Sequence, residues 1–183
     1  MKFTCDNVAV TLLVYNRPDH TARVLDGIRT SGIKNLTIFM DAAGDIQTRN
    51  NQDELMDIID AIDWADCKLV RRKKPLGLAK SVVSAVTDQL EHFEQLILLE
   101  DDCVPLPYFF KFMFSALDTY KEEKRVRSVC GYQSPISNFS KNSMKSVLIS
   151  RFMPWGWGTW RDRWDEYDND LQNLFNKSKN DNL

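Results

Sequence analysis

The segment Leu96-Ile97-Leu98-Leu99-Glu100-Asp101-Asp102 joins a short apolar run to three consecutive carboxylates. A run of four aliphatic residues between polar neighbours is typical of a strand that is buried on both faces. In open α/β sheets, ligands bind at the carboxyl ends of the strands, and the three carboxylates follow such an end. The segment therefore predicts a mostly parallel sheet with a ligand site at its edge.

Apolar runs alternate with helix-like segments through the first half of the chain. Strands are predicted over 8–15, 36–40, 68–71 and 96–99, and an amphipathic helix is predicted in each interval between them. This alternation is typical of an α/β fold, a mostly parallel sheet flanked by helices. Past Lys124 the pattern changes, and two further strands are predicted over 126–131 and 147–152.

Length and charge exclude several classes of protein. A chain of 183 residues is expected to form a single domain. Its 24 basic and 26 acidic side chains give a net charge of −2, which disfavours nucleic acid as a partner. The four cysteines form no CxxC pair, which favours reduced thiols and a cytoplasmic location. No apolar run has the length of a membrane span or signal peptide, although peripheral docking at the inner face of a membrane is compatible with the sequence.

The three carboxylates suggest a cation site. Alternation along an extended chain places Glu100 and Asp102 on one side and Asp101 on the other. Two like charges about 4 Å apart repel by roughly 4 kcal/mol at a partly buried site, and a divalent cation reverses this repulsion. Mg²⁺ or Mn²⁺ needs only one or two protein carboxylates when a diphosphate supplies further oxygens. The alternative interpretation is a solvated acidic turn.

Three other side chains follow predicted strands. Arg17 follows the first strand, where a guanidinium can pair with a phosphate or a base edge. Asp41 ends the second strand, where a carboxylate can accept a hydrogen bond from a base or a ribose hydroxyl. Lys74 belongs to a basic run just before a helix and could neutralise a diphosphate. The alternatives are an exposed arginine, a turn or cap residue, and a surface charge run.

The segment Trp155-Gly156-Trp157-Gly158-Thr159-Trp160 combines flat aromatic side chains with two glycines. Glycine lets the backbone turn freely, and tryptophan faces bind the C–H groups of sugars. We therefore expect Trp155, Trp157 and Trp160 to line an acceptor pocket, with core packing as the alternative. The motifs GxGxxG, GxxxxGK[ST] and GxSxG do not occur, which disfavours dehydrogenases, P-loop enzymes and α/β-hydrolases.

Taken together, these segments resemble the GT-A nucleotide-sugar glycosyltransferases, in particular the bacterial family 2 type and, more distantly, the N-acetylglucosaminyltransferase I family. The resemblance covers about residues 8–165 and is carried by Val14-Tyr15-Asn16-Arg17-Pro18, Phe39-Met40-Asp41, Gly77-Leu78-Ala79, Leu98-Leu99-Glu100-Asp101-Asp102 and the tryptophan segment. It implies a single GT-A domain over 1–183, with a nucleotide-binding half, 1–103, and an acceptor-side half, 104–183.

The resemblance also implies an activity and roles for individual residues. The expected enzyme is a metal-dependent inverting hexosyl- or N-acetylhexosaminyltransferase. It moves a sugar from a nucleotide-diphospho-sugar, a UDP-sugar first of all, to a glycan or lipid-linked acceptor in bacterial glycan or glycoconjugate synthesis. Asp41 matches the residue that recognises the base, and Arg17 matches a nucleotide contact. Glu100 and Asp101 lie near the ribose and donor sugar, and Asp102 ligates Mn²⁺ or Mg²⁺.

The catalytic base and the reaction class each leave alternatives. In the family the base follows the tryptophan segment, where Asp162 and Asp165 are the nearest carboxylates; a position beyond the last residue is the alternative. A second reaction class is a sugar-phosphate nucleotidyltransferase, although the chain lacks a glycine-rich loop with Arg or Lys after the first strand. A third interpretation is a domain that binds nucleotide or sugar without turnover.

Overall fold

The described strands form one sheet in a computed structural model, which describes residues 7–132 and 146–168. The strands are β1 (Val8–Val14), β2 (Asn35–Met40), β3 (Asp66–Arg71), β4 (Gln95–Glu100), β5 (Val129–Cys130) and β6 (Trp157–Trp160). The helices are α1 (Pro18–Thr30), α2 (Ile46–Asp60), α3 (Leu78–Leu90), α4 (Phe109–Thr119) and α5 (Arg161–Trp164). The strand order is β3-β2-β1-β4-β6-β5. The first four of these are parallel, and β6 is antiparallel to both of its neighbours. The predicted α/β fold with a mostly parallel sheet is confirmed.

The strand order creates a crevice at one edge of the sheet. From β1 the chain moves outward to β2 and β3, and it then returns past β1 to form β4 on the other side. The connections that leave β1 and enter β4 therefore run on opposite faces of the sheet. Such a switch point opens a crevice outside the carboxyl ends of the two strands, and ligands of open α/β sheets bind there.

Both faces of β4 are covered. Ile97 and Leu99 pack into the core beneath α1, α2 and α4, whereas Leu96 and Leu98 pack into the core beneath α3. All four side chains are almost completely buried. Burial on both faces explains why this strand is a continuous apolar run rather than an alternating one.

Two expectations for the second half are wrong. Residues 147–152 form no strand, and the Leu148 and Ile149 side chains are 73% and 49% exposed, so the segment lacks the buried side chains of a core strand. The tryptophan segment is expected to line a pocket, yet it contains β6, in which Trp157 pairs with Leu98 of β4. Residues 133–145 and 169–183 of the acceptor-side half lie outside the described residues. Among the described helices, none is both long and apolar enough to cross a bilayer.

Gly158 provides a test of the β4–β6 packing. A Cβ at this position would lie 2.7 Å from the backbone oxygen of Leu96 and 3.2 Å from Cε of Met113. Because the carbonyl cannot move without breaking the strand pair, Gly158→Ala is expected to lower the free energy of unfolding by about 1–3 kcal/mol. Gly44→Ala is the control, because its Cβ would meet only the Tyr15 hydroxyl at 3.8 Å. Urea unfolding of both variants measures the difference, and equal stability would contradict this packing.

Candidate active site at the switch point

Arg17 joins the carboxyl ends of β1 and β4. Its guanidinium donates hydrogen bonds to Oδ1 of Asp101 and, at 3.1 Å, to Oδ2 of Asp102. The Asp101 side chain is 4% exposed, whereas the Arg17 and Asp102 side chains are each 44% exposed. Asp101 also accepts a hydrogen bond from the backbone N–H of Tyr15. The Asp101 carboxylate is therefore buried and holds Arg17, whereas the Asp102 carboxylate faces the crevice.

Burial governs the protonation of this cluster. Burial raises the pKa of Asp101, and the hydrogen bond from Arg17 counteracts part of that rise. Burial also raises the pKa of Glu100, and the neighbouring charges of Asp102 and Asp101 add to this effect. Although burial alone would lower the pKa of Arg17, its two carboxylate partners outweigh burial and raise it. Arg17 is consequently a permanent cation in a site dominated by carboxylates.

The start of α1 orients Arg17. Pro18 occupies the first helical turn, where its fixed φ favours the helix and its missing N–H leaves no backbone donor unsatisfied. The backbone N–H and the hydroxyl of Thr21 donate to the Arg17 carbonyl at 3.0 and 2.9 Å. Since these contacts fix its backbone, the Arg17 side chain leaves the helix start towards β4.

Asp41 and Lys74 lie on the β2 and β3 side of the crevice. The carboxylate of Asp41 accepts hydrogen bonds from the backbone N–H groups of Ala42, Leu76 and Gly77. Lys74 is exposed in loop 72–77, between β3 and α3, and this loop ends at the residues that bind Asp41. The structure thus places both residues at the predicted edge of the sheet.

Gln52 of α2 is a site residue that the sequence interpretation missed. Its side chain is buried, and Nε2 donates to the carbonyls of Tyr15 and Asp41 at 2.9 and 2.8 Å. The adjacent Asn51 donates through Nδ2 to the carbonyl of Asn16 at 2.9 Å. Together they hold the ends of β1 and β2. In the sequence they stand in a polar stretch of a helix, which is the ordinary pattern of a solvated face.

The tryptophans separate into pocket and core residues. Trp155 is 50% exposed and packs edge-to-face against Tyr132, with a centroid distance of 4.7 Å. Trp157 and Trp160 are 5% and 2% exposed, and Nε1 of Trp160 donates to the carbonyl of Leu117. Their faces contact protein, so the structure corrects the prediction that these two line an acceptor pocket. An acceptor role for Trp155 stays a prediction.

Asp162 and Asp165 lie at the opposite end of the sheet. Because β6 is antiparallel to β4, the chain leaves β6 beside Gln95, at the start of β4. Gln95 and Glu100 lie at the two ends of β4, five residue steps apart, or about 16 Å. Burial opposes ionisation of Asp162, but hydrogen bonds from Lys124 and Arg163 outweigh it and lower its pKa. The prediction that Asp162 or Asp165 is the base for this crevice is therefore corrected.

The carboxylates suit a metal ion that is coordinated jointly by the protein and a bound phosphate, rather than by protein side chains alone. Within residues 7–132 and 146–168, no group of three or more His, Cys, Asp or Glu side chains could hold a metal ion. Asp102 nonetheless presents a half-exposed carboxylate to the crevice. Such a donor fits Mg²⁺ or Mn²⁺ when phosphate oxygens and water complete the coordination.

Comparisons with known proteins support the fold. No protein-family model matches the chain, and no curated protein matches it. The structure of 4-diphosphocytidyl-2C-methyl-D-erythritol synthase from Anaerococcus prevotii matches with a TM-score of 0.50 and 11% identity, over 95% of this chain and 85% of that one. A mannosyltransferase from Pyrobaculum calidifontis, in complex with GDP-Man and Mn²⁺, matches 68% of this chain with a TM-score of 0.46 and 19% identity. The chain spans 34% of that mannosyltransferase. Together with the strand order above, the match to the synthase supports the α/β fold with a mostly parallel sheet; identity this low shows the fold alone.

The buried ion pair can be tested by a double-mutant cycle. Arg17→Ala leaves the Asp101 carboxylate buried beside a single backbone N–H, which is expected to lower the free energy of unfolding by about 1–3 kcal/mol. Asp101→Asn removes the charge that needs the guanidinium, so the two changes together are expected to cost less than their sum. Urea unfolding at pH 7 measures the cycle.

The matched control is Arg125→Ala, which removes an exposed arginine paired with Glu123. This change is expected to alter stability much less than Arg17→Ala, because exposed ion pairs contribute little. Additive effects of Arg17→Ala and Asp101→Asn would refute the buried pair.

Proposed function

We propose that this chain carries the donor site of a metal-dependent inverting glycosyltransferase, which moves a sugar from a nucleotide-diphospho-sugar to an acceptor hydroxyl in bacterial glycan or glycoconjugate synthesis. The observation that carries the proposal is the cluster of Arg17, Asp101 and Asp102 at the switch point between β1 and β4. It combines a half-exposed cation with a half-exposed carboxylate where an α/β sheet binds ligands.

The charges of the crevice favour a diphosphate accompanied by a cation. Arg17 and Lys74 supply positive charge from two sides, and Arg17 can pair a phosphate through its planar donors. Glu100, Asp101 and Asp102 would repel a diphosphate that arrived alone. A divalent cation removes that repulsion, so we expect donor and metal to bind together. Glu100 and Asp101 then lie beside the ribose and the donor sugar.

Asp102 is the residue proposed to hold Mn²⁺ or Mg²⁺. Its carboxylate shares the Arg17 guanidinium with Asp101, at 3.1 Å, and is half exposed. Asp102 can therefore exchange its arginine partner for a cation while the buried Asp101 retains Arg17. When bound, the metal would stabilise the negative charge of the departing nucleoside diphosphate.

The acceptor is proposed to bind beside Glu100 on Trp155 and Tyr132. The β4–β6 ladder ends with Leu98 opposite Trp157, so Trp155 lies just before β6 at the carboxyl end of β4. The rings of Trp155 and Tyr132 are about half exposed and lie at the carboxyl edge of the sheet. Flat aromatic faces near carboxylates suit a sugar ring, which offers both C–H groups and hydroxyls. In this proposal the donor binds the half 1–103 and the acceptor binds the half 104–183.

A nucleotidyltransferase is the second candidate, because the diphosphocytidyl-methylerythritol synthase matches 95% of this chain with a TM-score of 0.50. A nucleotidyltransferase is expected to carry a glycine-rich loop after the first strand, but here only residues 15–17 join β1 to α1, and none of them is glycine.

Product analysis separates the candidates. Release of a nucleoside diphosphate supports the glycosyltransferase, release of pyrophosphate supports the nucleotidyltransferase, and binding without either product supports a binding domain.

Asp102→Asn tests the donor and metal site. Calorimetric titration of the unmodified protein with UDP and with GDP is expected to show binding of one nucleotide that depends on Mn²⁺. In Asp102→Asn the metal dependence should disappear while the circular dichroism spectrum and the melting temperature stay close to those of the unmodified protein. Asp162→Asn is the control, because it removes a carboxylate at the opposite end of the sheet. Unchanged metal dependence in Asp102→Asn would mean that the metal site is assigned wrongly.

Trp155→Ala tests the acceptor surface. Loss of the exposed ring is expected to raise the acceptor KM about tenfold, the equivalent of about 1.4 kcal/mol, and to leave the Kd of the nucleotide unchanged. The control is Tyr167→Ala, since Tyr167 is 48% exposed but stacks on Trp164, away from this edge. A larger effect on nucleotide binding than on acceptor KM would argue against an acceptor role for Trp155.

A further inference from the structure

The carboxylate of Asp41 accepts hydrogen bonds from three backbone N–H groups. Oδ1 accepts from the N–H of Ala42 at 2.9 Å and of Leu76 at 2.9 Å. Oδ2 accepts from the N–H of Leu76 at 3.1 Å and of Gly77 at 2.9 Å. The N–H of Leu76 is thus shared between both oxygens, and three backbone donors serve the roughly four lone-pair positions of the carboxylate.

These bonds join two parts of the chain that are distant in sequence. Asp41 ends β2, whereas Leu76 and Gly77 end loop 72–77 and precede α3. Gly77 has a φ of +77° and caps α3 without a side-chain hydrogen bond, so its conformation depends on contacts from elsewhere. Asp41 supplies such a contact. It thereby fixes the end of the loop that carries Lys74.

The backbone carbonyl of Asp41 also accepts a hydrogen bond. Nε2 of the buried Gln52 donates to the Asp41 carbonyl at 2.8 Å and to the Tyr15 carbonyl at 2.9 Å. The loop is therefore connected through Asp41 and Gln52 to the end of β1, directly before Arg17. The backbone segments that carry Arg17 and Lys74 are thereby joined by hydrogen bonds.

We propose that Asp41 positions loop 72–77 for the diphosphate. This inference rests on the proposed nucleotide site. A base N–H that approached Asp41 would compete with three backbone donors that already bind it. Positioning of the loop instead affects every ligand that carries the diphosphate, whatever its base.

Asp41→Ala separates positioning of the loop from recognition of a base. The change removes both carboxylate oxygens, so the N–H groups of Leu76 and Gly77 lose this acceptor. The ligands are UDP, GDP and inorganic pyrophosphate, each with Mn²⁺ and measured by calorimetry. We expect the affinity for each ligand that binds the unmodified protein to fall by a similar factor, about tenfold. A loss for one nucleotide with unchanged pyrophosphate binding would overturn the proposal, because it indicates recognition of a base.

Amide hydrogen exchange provides a readout that needs no nucleotide. In Asp41→Ala the N–H groups of Leu76 and Gly77 are expected to exchange faster, and unchanged exchange would overturn the proposal. Asp45→Ala is the matched control, because Asp45 accepts from the N–H of Thr48 at 2.7 Å and caps α2 instead. If the unmodified protein binds none of the three ligands, the proposed function fails, while faster exchange still supports Asp41 as the residue that fixes the loop.

Discussion

The ion pair between Arg17 and Asp101 is the constraint on which this edge of the sheet depends. A carboxylate as buried as that of Asp101 needs a partner, because an unpaired buried charge is strongly destabilising. Its partner comes from the start of α1, where Pro18 and Thr21 fix the backbone. The ends of β1 and β4 are thus held together by a group that also faces the crevice. Arg17 therefore contributes both to the stability of the fold and to the electrostatics of the candidate site.

The two ends of the sheet use the same residue types for different purposes. At the amino end of β4, Arg163 lies 4.2 Å above the Trp160 ring and donates to the carbonyls of Tyr120 and Lys121, just after α4. These bonds fix the turn that follows α4. Asp162 pairs with Lys124 and Arg163 beside them. Trp160 and Arg163 at that end are buried and structural, whereas Trp155, Arg17 and Asp102 at the carboxyl end remain about half exposed.

The sequence predicted the parallel half of the sheet because its signals are local. Strand β1 was expected over 8–15 and occupies Val8–Val14, and β4 was expected over 96–99 and occupies Gln95–Glu100. Both are buried on two faces, so each is recognisable as an apolar run without knowledge of its partners. The burial of Trp157, in contrast, depends on antiparallel pairing with Leu98, far earlier in the chain. A non-local contact of this kind leaves no periodic signal within the segment itself.

The same distinction between local and non-local signals applies to the residues of the candidate site. Arg17 and the carboxylates of 100–102 were predictable because they directly follow strands, whereas Gln52 acts through the carbonyls of two other elements. A neutral amide is well suited to that position. Lysine or arginine could donate to the same carbonyls, but would bury a positive charge that neither carbonyl can neutralise. Glutamine satisfies both carbonyls without adding charge, and so leaves the balance in the crevice to Arg17, Lys74 and the carboxylates.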